Sequence, residues 1–130
     1  MQDIMNRLSR DFVPMDKNEY IEVPLPIVIN TSFTLVTLRI YQREDGYTIT
    51  HPEDIFSEMG NATLEFYFDL FKKHNKDCFY GVELKDGVLT MECKDNYNVA
   101  VALSDFIRFM VYFDDFFTNN GVIGNEESFI

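Results

Sequence analysis

The densest local group of side chains able to do chemistry is His51, Glu53 and Asp54, a histidine and two carboxylates within four positions. Such a group suits a divalent ion or a general base. The three are too close in sequence to converge easily on one ion, and no second histidine is placed to assist. A structural role competes with the chemical one. Thr50-His51-Pro52-Glu53 fits a helix-opening capping box with an early proline, and acids there favour the positive end of the helix. His74, beside Lys72 and Lys73, fits the negative end of another helix. No phosphate-cradling glycine loop, G-x-S-x-G or H-E-x-x-H occurs, and the six glycines are spread singly over turns and helix ends. No cofactor or metal is expected, and an enzyme is the less favoured reading.

Charge is the stronger signal. Eleven basic and 22 acidic residues give a net charge of −11. Residues 1–43 are neutral, and 44–71 carry seven acids with no Lys or Arg. Residues 72–94 come to +1, and 95–130 hold six acids against Arg108 alone. Phosphate contact needs Lys and Arg, so direct nucleic-acid binding is not expected; a basic protein partner is. Hydrophobic residues make up 46% of the chain, with 13 Phe and 7 Tyr, enough for the core of one domain. No apolar run is long enough for a bilayer and Met1-Gln2-Asp3-Ile4-Met5 is not a signal peptide, so cytoplasmic residence is expected. Neither Cys78 nor Cys93 lies in a CxxC, which fits thiols in a reducing compartment.

These residues need elements to position them. Ile4, Met5, Leu8 and Phe12 recur at helical spacing over 2–12, and Pro14 ends that run. Tyr20–Ile29 alternates as a strand. Its Pro24 and Pro26 remove two N–H groups along one edge, which predicts a border or bulged strand. Thr31–Arg43 reads as a long second strand. Asp45-Gly46 supplies the positive-φ turn of a hairpin returning through Tyr47–Thr50, and Asp86-Gly87 does the same between Val82-Glu83-Leu84 and Leu89–Lys94. Between the hairpins lie a short helix ending at Gly60 and a longer one from Asn61 to His74. A last helix runs from Asn98 to Asn119. The reading is α+β, in the order α-βββ-αα-ββ-α. It predicts an antiparallel sheet of about five strands in two hairpin units against helices, with one domain over 1–124 and a flexible acidic tail over 125–130.

The last helix is apolar around nearly all its circumference, which places it at the centre of the fold or against a partner. Phe109, Tyr112, Phe113 and Phe116 are candidates for an exposed aromatic patch, bordered by Asp105, Asp114 and Asp115. Glu53, Asp54 and Glu58 would extend the negative rim. Rings framed by carboxylates suit anchoring in a basic groove. The plain alternatives are that the rings pack on the sheet and the acids confer solubility.

Val23-Pro24-Leu25-Pro26-Ile27, Asp45-Gly46-Tyr47-Thr48-Ile49-Thr50 and Gly81-Val82-Glu83-Leu84-Lys85-Asp86-Gly87-Val88-Leu89 together resemble a family of small prokaryotic and phage proteins catalogued as a domain of unknown function. That family has a TPF-like strand, a hairpin leading into Y-x-L-T-D-D-G, a G-V-x-L-x-G-D-x-L unit and a closing apolar helix. The likeness spans roughly two-thirds of the chain by hydrophobic and turn spacing. His51-Pro52-Glu53-Asp54 departs from the family's D-D-G. The resemblance implies the element order and a prokaryotic cell or phage-infected host; it implies no activity. The functional expectation is a non-enzymatic acidic interaction protein, with a phage-type inhibitor (anti-CRISPR or anti-restriction) that blocks a basic nucleic-acid-binding surface as its concrete form. The alternatives are a small metal-dependent hydrolase or nuclease built on Glu53, Asp54 and His51, and a homodimer joined through the last helix.

Overall fold

The computed structural model of the chain describes residues 2–9, 12–28, 35–51, 61–74 and 81–119. In chain order these form α1 (Gln2–Leu8), β1 (Met15–Asp16), β2 (Ile21–Val28), β3 (Leu35–Arg43), β4 (Gly46–His51), α2 (Asn61–His74), β5 (Glu83–Lys85), β6 (Val88–Lys94) and α3 (Val99–Asn119). The fold is α+β, with one antiparallel sheet in the order β1-β2-β3-β4-β6-β5. The two hairpin units meet along β4 and β6, where six residue pairs from Gly46↔Lys94 to His51↔Leu89 are in register.

Alternation decides which side of the sheet is dry. Ile21, Ile40, Ile49 and Met91 lie in one row across four strands, and Val23 with Leu38 begins the next. All six are buried, and they join inward residues of the helices, among them Leu8, Leu64 and Phe106, in one hydrophobic core. The opposite face carries Glu22, Pro24, Arg39, Tyr41, Arg43, Thr48 and Glu92, the residues between them in sequence.

The structure departs from the sequence expectation at several points. The sheet gains a sixth strand, the two-residue β1, which pairs only with Glu22 and Ile21 at the start of β2. Beyond Glu22, β2 pairs only with β3 among the described residues, and its register shifts between Pro24 and Val28, the irregularity expected from the prolines. The first helix stops at Leu8, although the Phe12 amide still donates to the Leu8 carbonyl at 2.8 Å. Asp86 and Gly87 take the positive φ values of 52° and 80° expected of their hairpin. Asp45-Gly46 does not form the other turn. There the turn residues are Glu44 and Asp45, and Gly46 is already in β4, paired with Arg43. Its lack of a side chain serves a close approach: a Cβ would lie 2.0 Å from the Cys93 carbonyl oxygen. The expected short helix before Gly60, the first residues of the long strand at 31–34 and the tail 125–130 lie outside the described residues.

α3 begins at Asn98, whose side-chain oxygen accepts from the Ala100 and Val101 amides at 2.9 and 3.4 Å. The helix lies in contact with α1 and α2. Towards α2, Phe71 sits 5.4, 5.2 and 5.5 Å from the ring centroids of Phe109, Phe113 and Phe116, so the two helices are joined by aromatic packing.

Candidate functional site

The rings of α3 divide into two sets. Phe106, Phe109 and Phe113 are fully buried. Phe109 and Phe113 therefore leave the candidate patch, because α2 encloses them through Phe68 and Phe71. Phe116 is half-buried against Phe71. Asp114 is also withdrawn, at 4% exposure and with its interactions made inside the protein. Tyr112 and Asp115 remain on the surface. Arg108 lies four residues before Tyr112 and Val111 four before Asp115, with Val101 on the same face about three turns earlier, all exposed. The outward face of α3 is thus a narrow stripe with a tyrosine near its end, in place of a broad aromatic patch.

Asp105 lies within the stripe, between Val101 and Arg108, and is not free. It accepts a hydrogen bond from the Tyr97 hydroxyl and lies 3.8 Å from Arg108. The Tyr97 carbonyl in turn accepts from the Tyr47 hydroxyl at 2.6 Å, tying the entry of α3 to β4. The carboxylate of Asp105 favours the neutral phenol and pushes Tyr97 up to about 12, with burial helping. Burial raises Tyr47 further, with Cys93 adding to the effect. These hydroxyls are fixed donors at neutral pH and position α3.

Among the described residues, the acids of the two acid-rich segments fall in three places. Glu44 and Asp45 at the β3–β4 turn meet Asp95, whose amide donates to the Asp45 carbonyl at 3.1 Å. Glu65 and Asp69 are exposed on α2, in a hollow shared with Lys72 and Glu83. Asp105 and Asp115 lie along α3. Glu53, Asp54 and Glu58 fall outside the described residues. His51 is 3% exposed and on the core side of β4, across from Leu89, with interactions of its own. Among the described residues no three His, Cys, Asp or Glu side chains gather as a metal site would need. Cys93 is a buried free thiol, raised by desolvation.

One group escaped the sequence reading. On the outer face of the sheet the Arg39 guanidinium lies 4.4 Å from the Tyr20 ring centroid, and Arg43 lies 5.3 Å from that of Tyr41. The two tyrosines are 5.5 Å apart. The signal was present as Arg39-x-Tyr41-x-Arg43, every second residue of one strand.

Comparison of the chain with protein-family models, with curated proteins and with solved structures found no match. Among the described residues no helix is long and apolar enough to cross a membrane.

Proposed function

We propose that this is a non-enzymatic interaction protein that docks the outward stripe of α3 on a basic surface of a partner protein. In its most concrete form it is a phage-type inhibitor that keeps a nucleic-acid-binding protein from its ligand. The observation that carries the reading is Tyr112 at 44% exposure, with Val111 at 40% and Val101 at 52%, on a helix whose Phe106, Phe109 and Phe113 are fully used by the core. An exposed tyrosine beside aliphatic residues is a good anchor, and Asp105 and Asp115 give its rim the sign that attracts Lys and Arg. The net charge of −11 would speed the encounter. The phage setting comes from the sequence resemblance alone.

The test is competition. A basic nucleic-acid-binding protein captured from the host on the immobilised chain is assayed for binding of labelled DNA or RNA, with and without the chain. At about 50 mM salt the partner should lose its nucleic acid, and at about 300 mM the loss should largely disappear. Tyr112→Ala and Asp115→Asn should each weaken competition by about tenfold. No competition at low salt ends the reading. Sedimentation of the chain alone distinguishes a homodimer, since a second copy seated on this stripe would be dispersed by Tyr112→Asp.

A further inference from the structure

The outer face of the sheet is charged differently from the rest of the molecule. Its strand side chains include Arg39, Arg43, Lys85 and Lys94 against Glu22, Glu83 and Glu92, in a chain with twice as many acids as bases. One of these bases and all three acids are already paired: Lys85 with Glu92, Glu22 with Lys17 at 3.7 Å and Glu83 with Lys72 at 3.7 Å. Arg39 and Arg43 stand in no ion pair among the described residues.

Both guanidinium groups are held in place without a carboxylate. Arg43 donates from Nε to Thr48 Oγ1 at 3.2 Å and rests on Tyr41. Arg39 rests on Tyr20 and hydrogen-bonds the Tyr41 side chain, with its Nε buried and unpartnered; Glu22 faces it in register without an ion pair, so two tyrosines, not a salt bridge, fix its plane. A guanidinium stacked on an aromatic ring keeps a hydrogen-bonding edge suited to a planar oxyanion, and loses little freedom when one arrives. The two arginines are four residues apart on one face of β3, about 13 Å at the rise of a strand.

We propose that Arg39 and Arg43 form a two-point docking surface for an extended acidic peptide whose carboxylates are also four residues apart. A segment of that kind repeats the strand rise and places one carboxylate on each arginine. Single-stranded nucleic acid is the poorer occupant. Its charges recur at every nucleotide, and on this face they would run onto Glu22, Glu92 and the Glu44-Asp45 turn. At physiological salt the acids elsewhere on the molecule are screened beyond about 8 Å, so the local sign decides. This surface lies on the side of the sheet away from the core, where the competition test of α3 does not reach, so each can fail without the other.

The experiment is an NMR titration of the ¹⁵N-labelled chain with the capped peptide Glu-Thr-Val-Thr-Glu and, separately, with octathymidylate. The peptide should shift the amides of β3 and Thr48 and saturate at concentrations on the order of 1 mM. Moving the two acids to adjacent positions, or introducing Arg39→Gln or Arg43→Gln, should weaken binding by about fivefold or more. Arg43→Lys should not restore it, since a point charge lacks the planar fork. Shifts confined to other elements, no saturation by about 10 mM, or tighter binding of octathymidylate at the same amides would each overturn the proposal.

Discussion

At Gly46 two strand backbones come so near that a methyl group would be 2.0 Å from the Cys93 carbonyl oxygen. Backbone on both sides leaves no flexible side chain to give way. Gly46→Ala should therefore cost about 2–3 kcal/mol, seen as a Tm lower by on the order of 10 °C; an unchanged Tm would show that the strands part easily there. Tyr97 offers a second residue-scale test. Its phenol is raised from 10.0 to about 12 by Asp105 and by burial, so the protonated form is favoured in the folded chain. A raised pKa contributes stability that is complete below pH 10 and is lost as pH climbs towards 12. Denaturant midpoints measured across that window should fall, and Tyr97→Phe should fall less, because it has no proton to lose.

At the scale of elements, α3 shows how much a sequence can say about a helix and where it stops. Its position and its central place follow from Asn98 and from the density of apolar residues after it. Which rings would be covered did not follow, because the cover comes from α2, about 40 residues earlier in the chain, through Phe68 and Phe71. Only three-dimensional packing separates Tyr112 from Phe113, its neighbour. The separation is measurable: Phe109→Ala should cost about 3–5 kcal/mol and Tyr112→Ala within about 0.5 kcal/mol. Comparable losses from both would put Tyr112 in the core. The alternating strands, α2 and the second hairpin were legible for the same reason, since period and turn chemistry are local. The first hairpin was not. Asp45-Gly46 looks like Asp86-Gly87 in sequence, yet only the latter has positive φ values, and the glycine of the former answers to β6. The proposed α3 site was legible in part, in Tyr112, Asp105 and Asp115. The arginine pair was overlooked because its meaning depends on Tyr20 from the chain before β2.

Across the whole molecule the excess of acids over bases acts against compactness, since like charges on α2, α3 and the β3–β4 turn repel in every folded arrangement. Salt should relieve this. Raising NaCl from about 20 to 300 mM should lift Tm by a few degrees, and a fall would mean that attractive pairs such as Lys72–Glu83 outweigh the repulsion.

The exchanged order of the last two strands has a further consequence. β2, β3 and β4 are neighbours both along the chain and in space, so they can assemble as they leave the ribosome. The free side of β4 must wait for β6, which brings Leu89 to His51 across an intervening helix. Until then a nascent chain carries an open hydrogen-bonding edge in what will be the middle of the sheet, with apolar residues on one of its faces. A fragment halted before residue 81 should accordingly pellet as β-rich aggregates while the full chain remains dispersed. Synthesis of the second hairpin would then be the step that ends the danger, and pauses in translation between the two hairpins would be harmful to yield.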